Sequence, residues 1–215
     1  MQDLNIDEHL FFPSGVYTVH LPQYLKSVQM VANEALNTVK NEHERNEIYP
    51  VYQTYSFHDD VRIAEFSQFV LEMGWHILQK QGHAMEYFTT HYESMWLQDH
   101  VKHSAMDQHI HGFGAQLVAF YFLKVPENGS RLVLHDPRPG KTQINLPQTN
   151  FEDATYASDM VHFVPREGDL YLTNAWLPHS FTRSATDESL QMVHMNITVA
   201  LKPEDQCKCD GPIII

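Results

Sequence analysis

The sequence predicts a mainly β domain of α+β character, a double-stranded β-helix (jelly roll) supported by N-terminal helices. Three observations carry that expectation. Two amphipathic helical patterns are confined to the first hundred residues. Many short apolar strands with turn signals follow residue 84, and one of them is apolar on both faces. A chain of 215 residues, 43% hydrophobic and 12% aromatic, is long enough to bury one good core undivided. It reads as a single domain over 1–215, with helical support over roughly 1–83, the β core over roughly 84–203 and a tail at 204–215.

In chain order, residues 13–20 read as an extended segment. Pro22 suits a first helical position, and Leu25, Val28, Ala32, Ala35 and Val39 follow at alternating steps of three and four. Residues 49–56 are extended again. A second helix is expected after the Asp59-Asp60 cap, where Ile63, Phe66, Val70, Met73 and Ile77 repeat the spacing and Gly82 supplies a stop. Both stripes are core, since amphipathic packing accounts for them fully. Candidate strands then occupy 86–91, 94–101, 108–111, 116–125, 131–134, 162–165, 169–173, 180–183 and 190–201. Glu127-Asn-Gly-Ser, Pro137-Arg-Pro-Gly and Arg166-Glu-Gly-Asp separate several of them. The strand at 116–125 is the one apolar on both faces, as between a sheet and the helices.

Composition narrows the function classes. A formal charge of −13 argues against binding a nucleic-acid backbone, which needs a basic surface. Neither a membrane-length apolar stretch nor a basic-then-apolar leader is visible, so a cytoplasmic location is expected. Cys207 and Cys209 are too few for a structural zinc site and too close for a good disulfide, and read as free thiols on the tail. The sequons at Asn128 and Asn196 are then chance matches.

His109-Ile-His111 opens the long apolar run, and His179 follows far along the chain in Trp-Leu-Pro-His. On a strand, side chains two apart point the same way, so His109 and His111 can face one point in space. Neutral imidazole suits iron, zinc, copper and nickel, and a third imidazole from a distant strand closes one face of the ion. Among 15 histidines spacing alone decides little, and His103, His162 and Asp107 compete. Asp107 lies two before His109, so an Asp107–His109 pair stays open as an alternative.

The stretch from Met95 to Asn196 resembles the 2-oxoglutarate/Fe(II) oxygenases of the small bacterial and phage type, relatives of the prolyl-hydroxylase group. The resemblance rests on Trp96 in Met-Trp-Leu-Gln, on His109-Ile-His-Gly and on Val118-Ala-Phe-Tyr-Phe-Leu-Lys-Val-Pro-Glu-Asn-Gly-Ser. It continues through Leu134-His-Asp-Pro-Arg and Val164-Pro-Arg-Glu-Gly-Asp-Leu-Tyr-Leu-Thr-Asn-Ala-Trp-Leu-Pro-His. It implies His109, His111 and His179 as the ligands of Fe(II), with 2-oxoglutarate and O2 as cosubstrates and ascorbate as an optional reductant. Where many of the wider superfamily place aspartate, this chain has His111, so the bound ion stays more electropositive.

The basic residue that meets the distal carboxylate of 2-oxoglutarate in such enzymes falls here on Leu190. Losing a charged partner forfeits roughly 2–5 kcal/mol. Lys124 and Arg183 are the candidate substitutes, against the plainer readings of a snorkelling strand-end lysine and a solvated loop arginine. His194 and Asn196 follow Leu190 on one face as further candidate contacts, His194 being equally readable as a core histidine. Tyr121 is a candidate for the same pocket, or ordinary core. Gln98, His100 and Trp176 are expected to line the substrate pocket, with Asp136-Pro-Arg138 at its rim.

The expected activity is an Fe(II)-dependent dioxygenase, a 2-oxoglutarate-dependent hydroxylase releasing succinate and CO2. Two alternatives remain open at the level of sequence: a three-histidine, cupin-like dioxygenase that uses no 2-oxo acid, and a metal-binding barrel without catalysis. The expected partners are a small-molecule or peptide substrate and, at most, a second copy of the chain, with neither nucleic acid nor membrane.

Overall fold

The computed structural model describes residues 7–44, 46–143 and 146–203. Cys207, Cys209 and the tail at 204–215 lie outside the described residues. Strand β1 (Val16–His20) leads into a single 3-10 turn at Pro22–Tyr24 and then helix α1 (Leu25–Glu42). Proline starts that turn because its missing N–H would have no partner there. Val28, Val31, Ala32, Leu36 and Val39 are the buried stripe of α1, so Leu36 takes the place expected for Ala35. After β2 (Val51–Gln53), the Asp60 carboxylate accepts the Arg62 N–H and caps a turn that runs into α2 (Ala64–Lys80). Gly82, at φ +97°, ends that helix as expected.

The remaining strands are β3 (Phe88–His100), β4 (Met106–His109), β5 (Ala115–Lys124), β6 (Leu132–His135), β7 (Met160–His162), β8 (Asp169–Asn174), β9 (His179–Phe181) and β10 (Leu190–Leu201). The two strands expected at 86–91 and 94–101 are one continuous strand. The strand expected at 108–111 begins two residues earlier and stops at His109.

All pairings are antiparallel. A six-stranded sheet has the order β1-β8-β5-β10-β3-β2, and a four-stranded sheet the order β4-β9-β6-β7. Together they are the two walls of the jelly roll.

Alternation along β5 shows how the layers form. Leu117, Ala119, Tyr121 and Leu123 join Val28, Phe66 and Val70 in the core beneath the helices. Val118, Phe120 and Phe122 face the other way and pack with Leu132, Leu134 and Phe181 of the smaller sheet. β10 divides likewise: Val193, Met195 and Ile197 to the helices, Leu190 and Met192 to the barrel. The helices therefore only back the large sheet, and the barrel interior is left to the side chains that carry the chemistry. Lys40 of α1 reaches the buried Asp99 carboxylate of β3 at 2.8 Å, and Gln191 donates to its second oxygen at 3.1 Å. That satisfied charge fixes α1 over the β3–β10 seam.

Candidate metal centre

His109 ends β4, His179 opens β9, and the two are Cα partners across the small sheet. His111 lies beyond β4, its N–H bonded to the Ala175 carbonyl at 3.0 Å, which holds that segment extended. The ligand-capable atoms of the three imidazoles lie within 4.8 Å of one another. Their ring centroids are 4.5 Å (109–179), 5.2 Å (109–111) and 5.2 Å (111–179) apart.

The backbone sets the tautomers. His109 Nδ1 lies 2.7 Å from the Asp107 carbonyl and His179 Nδ1 3.0 Å from the Leu177 carbonyl. A carbonyl only accepts, so each Nδ1 carries the hydrogen and each Nε2 is left with a lone pair. Nε2 of His179 and of His111 is buried without a hydrogen-bond partner. Burial, reinforced by the neighbouring histidines, holds His179 down at about 3 and His111 at about 4, so both rings are neutral at pH 7. Three converging imidazoles, two of them with a buried and unpartnered Nε2, fit a borderline divalent ion such as Fe(II).

Asp107 contributes its carbonyl rather than its carboxylate. Between Met106 and His109 the register shifts against Phe181 and His179, so that Asp107 and Gln108 together face Ser180. This bulge breaks the alternation that would have put Asp107 on the face of His109, and Asp107 is exposed. His103 and His162 are exposed as well.

A second group of buried polar atoms lies beside the three rings. His194 of β10 stacks on Trp96 of β3 at 4.4 Å and sits 4.7 Å from the His111 and Phe120 rings. Both its nitrogens, Trp96 Nε1 and Asn196 Oδ1 lack partners. Burial drives the His194 pKa well below its ordinary value, and the surrounding histidines push the same way. The amide of Asn196 donates to Glu93 at 3.1 Å.

The remaining expected contacts are scattered. Tyr121 is on the helix side of β5, its hydroxyl donating to the Leu21 carbonyl at 2.7 Å and its ring 4.7 Å from Phe66. Leu117, Ala119 and Leu123 of β5 face the helices with it, so Tyr121 is core. Lys124 pairs with Glu188 at 3.3 Å near the surface. Arg183 is exposed and donates to the His103 carbonyl. Gln98 and His100 are buried on the barrel side, His100 Nε2 meeting Gln98 Oε1 at 3.2 Å. Trp176 is half exposed beside the strand that carries His179. Asp136 and Arg138 line a cavity of about 630 Å³, together with Leu134, Leu177, Phe163 and the Phe11–Phe12 segment. Leu177 thus touches both this cavity and, through its carbonyl, His179.

Residues 94–194 match the sequence profile of a family described as "Putative 2OG-Fe(II) oxygenase". This segment belongs to the 2-oxoglutarate/Fe(II) oxygenases. The oxygenase is accordingly an oxidoreductase whose cofactors are Fe(II) and 2-oxoglutarate. Its jelly roll is similar to several solved structures. AviO1 from Streptomyces viridochromogenes Tue57 is 12% identical at a TM-score of 0.59, over 88% of this chain and 90% of that one. A Pseudomonas putida prolyl-4-hydroxylase is 11% identical at 0.57, over 86% and 93%. The epimerase SnoN, in complex with Fe3+, alpha ketoglutarate and nogalamycin RO, is 15% identical at 0.53, over 94% and 86%. No curated protein matches the oxygenase in sequence. No helix among the described residues is long and apolar enough to cross a membrane.

Proposed function

We propose that His109, His111 and His179 hold the Fe(II), each through Nε2, and that the oxygenase hydroxylates an aliphatic C–H bond of a small molecule or peptide seated at the barrel mouth. The observation that carries this reading is the convergence of three imidazoles, two of which, His111 and His179, bury an Nε2 with no other partner. When bound, iron and 2-oxoglutarate supply O2-dependent oxidation, one oxygen atom entering the substrate and the other the succinate left after loss of CO2.

The chain's own residues bind, orient and exclude water. The Asp107 and Leu177 carbonyls lock two imidazoles in the ligating tautomer. Phe120, edge-on to His179 at 5.3 Å, keeps the inner side of the site apolar. His194, Asn196 and Trp96 offer unpaired polar atoms beside His111 for an anionic cosubstrate to engage. The cavity of about 630 Å³ suits a small molecule or one side chain of a peptide. Solved relatives in fold include an epimerase as well as a prolyl hydroxylase, and hydroxylation is the simplest outcome of the shared chemistry.

The test joins metal content to product. Iron should bind in one equivalent, and 2-oxoglutarate should yield succinate under air, with an oxygenated product from a panel of amino acids and peptides. Oxygen uptake without any 2-oxo acid would favour a direct three-histidine dioxygenase instead. Undiminished iron in His179→Ala would overturn the ligand assignment.

A further inference from the structure

His194 stands in the middle of β10, with Trp96 of β3 and Phe120 of β5 as its Cα partners. Met192, two residues earlier and on the same face, packs in the barrel interior. The His194 ring is buried there. It stacks on the Trp96 indole with 18° between the planes, and the Phe120 ring lies 4.7 Å away. Nearly parallel rings direct their N–H groups sideways past each other, so neither Trp96 nor His194 satisfies the other. A neutral imidazole carries one N–H and one lone pair, and neither nitrogen of His194 has a partner. A buried donor and acceptor both left unmet are destabilising, and native proteins rarely leave them so without a ligand.

The other ring neighbours of His194 are two of the converging histidines, His111 at 4.7 Å and His179 at 6.1 Å. Rings that share one ion at a metal–nitrogen distance of about 2.1 Å have centroids about 4.6 Å apart at a right angle and about 6.5 Å apart when opposed. Both spacings of His194 fall in that interval, next to the 4.5 Å and 5.2 Å found within the trio. Its nitrogens are not among those that already converge. Three imidazoles meet, and a fourth stands beside them. A shift of the His194 ring within its own plane keeps the Trp96 stack and alters only where its nitrogens point.

We infer that His194 is a fourth, displaceable imidazole ligand: it joins the ion while no cosubstrate is bound, and withdraws onto Trp96 when a 2-oxo acid takes its place. This rests on the reading that His109, His111 and His179 hold the metal. In the joined arrangement the lone pair of His194 is met by the ion. In the exchange an oxygen of the 2-oxo acid replaces one neutral nitrogen, and no proton has to move. One position on the ion is thereby closed to water until the cosubstrate arrives.

The experiment is proton NMR of the protein loaded with Co(II) alone, without air or 2-oxo acid. Each imidazole bound to cobalt gives a strongly shifted, exchangeable N–H resonance. His194→Phe should show one such resonance fewer than wild type, and should bind cobalt about 10-fold or more weakly in chelator competition. His194→Ala leaves room for a free imidazole, and adding imidazole should restore the missing resonance. Adding 2-oxoglutarate to wild type should remove that same resonance. The shifted resonances that remain report that the variants are folded; should His194→Phe not fold, His194→Gln should give the same count. Equal counts in wild type and variant would overturn the inference even with weaker cobalt binding, which a hydrogen bond to the ion's water would also cause. Persistence of the resonance with 2-oxoglutarate bound would overturn it too. A full set of resonances in His179→Ala would overturn it together with the reading beneath it.

Discussion

The two carbonyls behind His109 and His179 decide what those side chains can do, because they fix which nitrogen carries the hydrogen. On the proposed ligand assignment, replacing His179 with alanine should reduce iron affinity at least 100-fold, measured by metal competition with a chromogenic chelator. Tyr121 is a contrasting case. Its hydroxyl is buried on the Leu21 carbonyl, so Tyr121→Phe should cost about 1–2 kcal/mol in urea unfolding and leave iron affinity unchanged. Reduced iron binding in that variant would place Tyr121 in the site after all. The convergence of the histidine trio was legible from sequence because two of the histidines sit close together and the third lies in a distinctive tetrapeptide. The role of Asp107 was not legible, since a one-residue bulge leaves no mark in the pattern of side chains.

The helices and strands were legible to the extent that their periods were strong. α2 and β10 came out nearly where the spacing put them, whereas β3 was read as two pieces because Tyr92 and Glu93 interrupt its alternation. The register of β10 in fact shifts between Asn196 and Ile197 opposite that point. Gly74 of α2 faces β5 and β10. A methyl group there would sit 3.5 Å from Ile197 and Leu117, an ordinary contact. Gly74→Ala should therefore stabilise the protein by up to about 1 kcal/mol through helix propensity, read as a raised thermal midpoint. Gly74→Leu should destabilise it by about 1–3 kcal/mol, because the extra atoms have nowhere to go. A destabilised Gly74→Ala would mean that the interface is tighter than ordinary contact.

Across the whole molecule, three buried histidines and the half-buried His111 gather in one barrel. His100, His111 and His179 are held at about 4, about 4 and about 3, and His194 well below its usual value, chiefly by burial. The unfolded chain takes up a proton at each near pH 6.5, while the folded protein resists until near pH 4 or below. Protons therefore favour unfolding over that window, and the metal-free protein should lose stability as pH falls from about 6.5 towards 4. For the fully buried His100, His179 and His194 the upper limit is about 2 kcal/mol each by pH 5. Urea midpoints of metal-free protein at pH 7 and pH 5 check this, and an unchanged midpoint would contradict it.

The small sheet has the order β4-β9-β6-β7, which leaves β4 hydrogen-bonded on one side only. His109 thus rides on a border strand, while β10, with neighbours on both flanks, is locked in place. Iron can then enter or leave by local peeling of one ribbon, with the larger wall undisturbed. Amide exchange should accordingly run much faster at residues 106–109 than at 190–201 in metal-free protein, and slow at the former once iron is added. The doorway for the ion and its first handhold would be the same short stretch of chain.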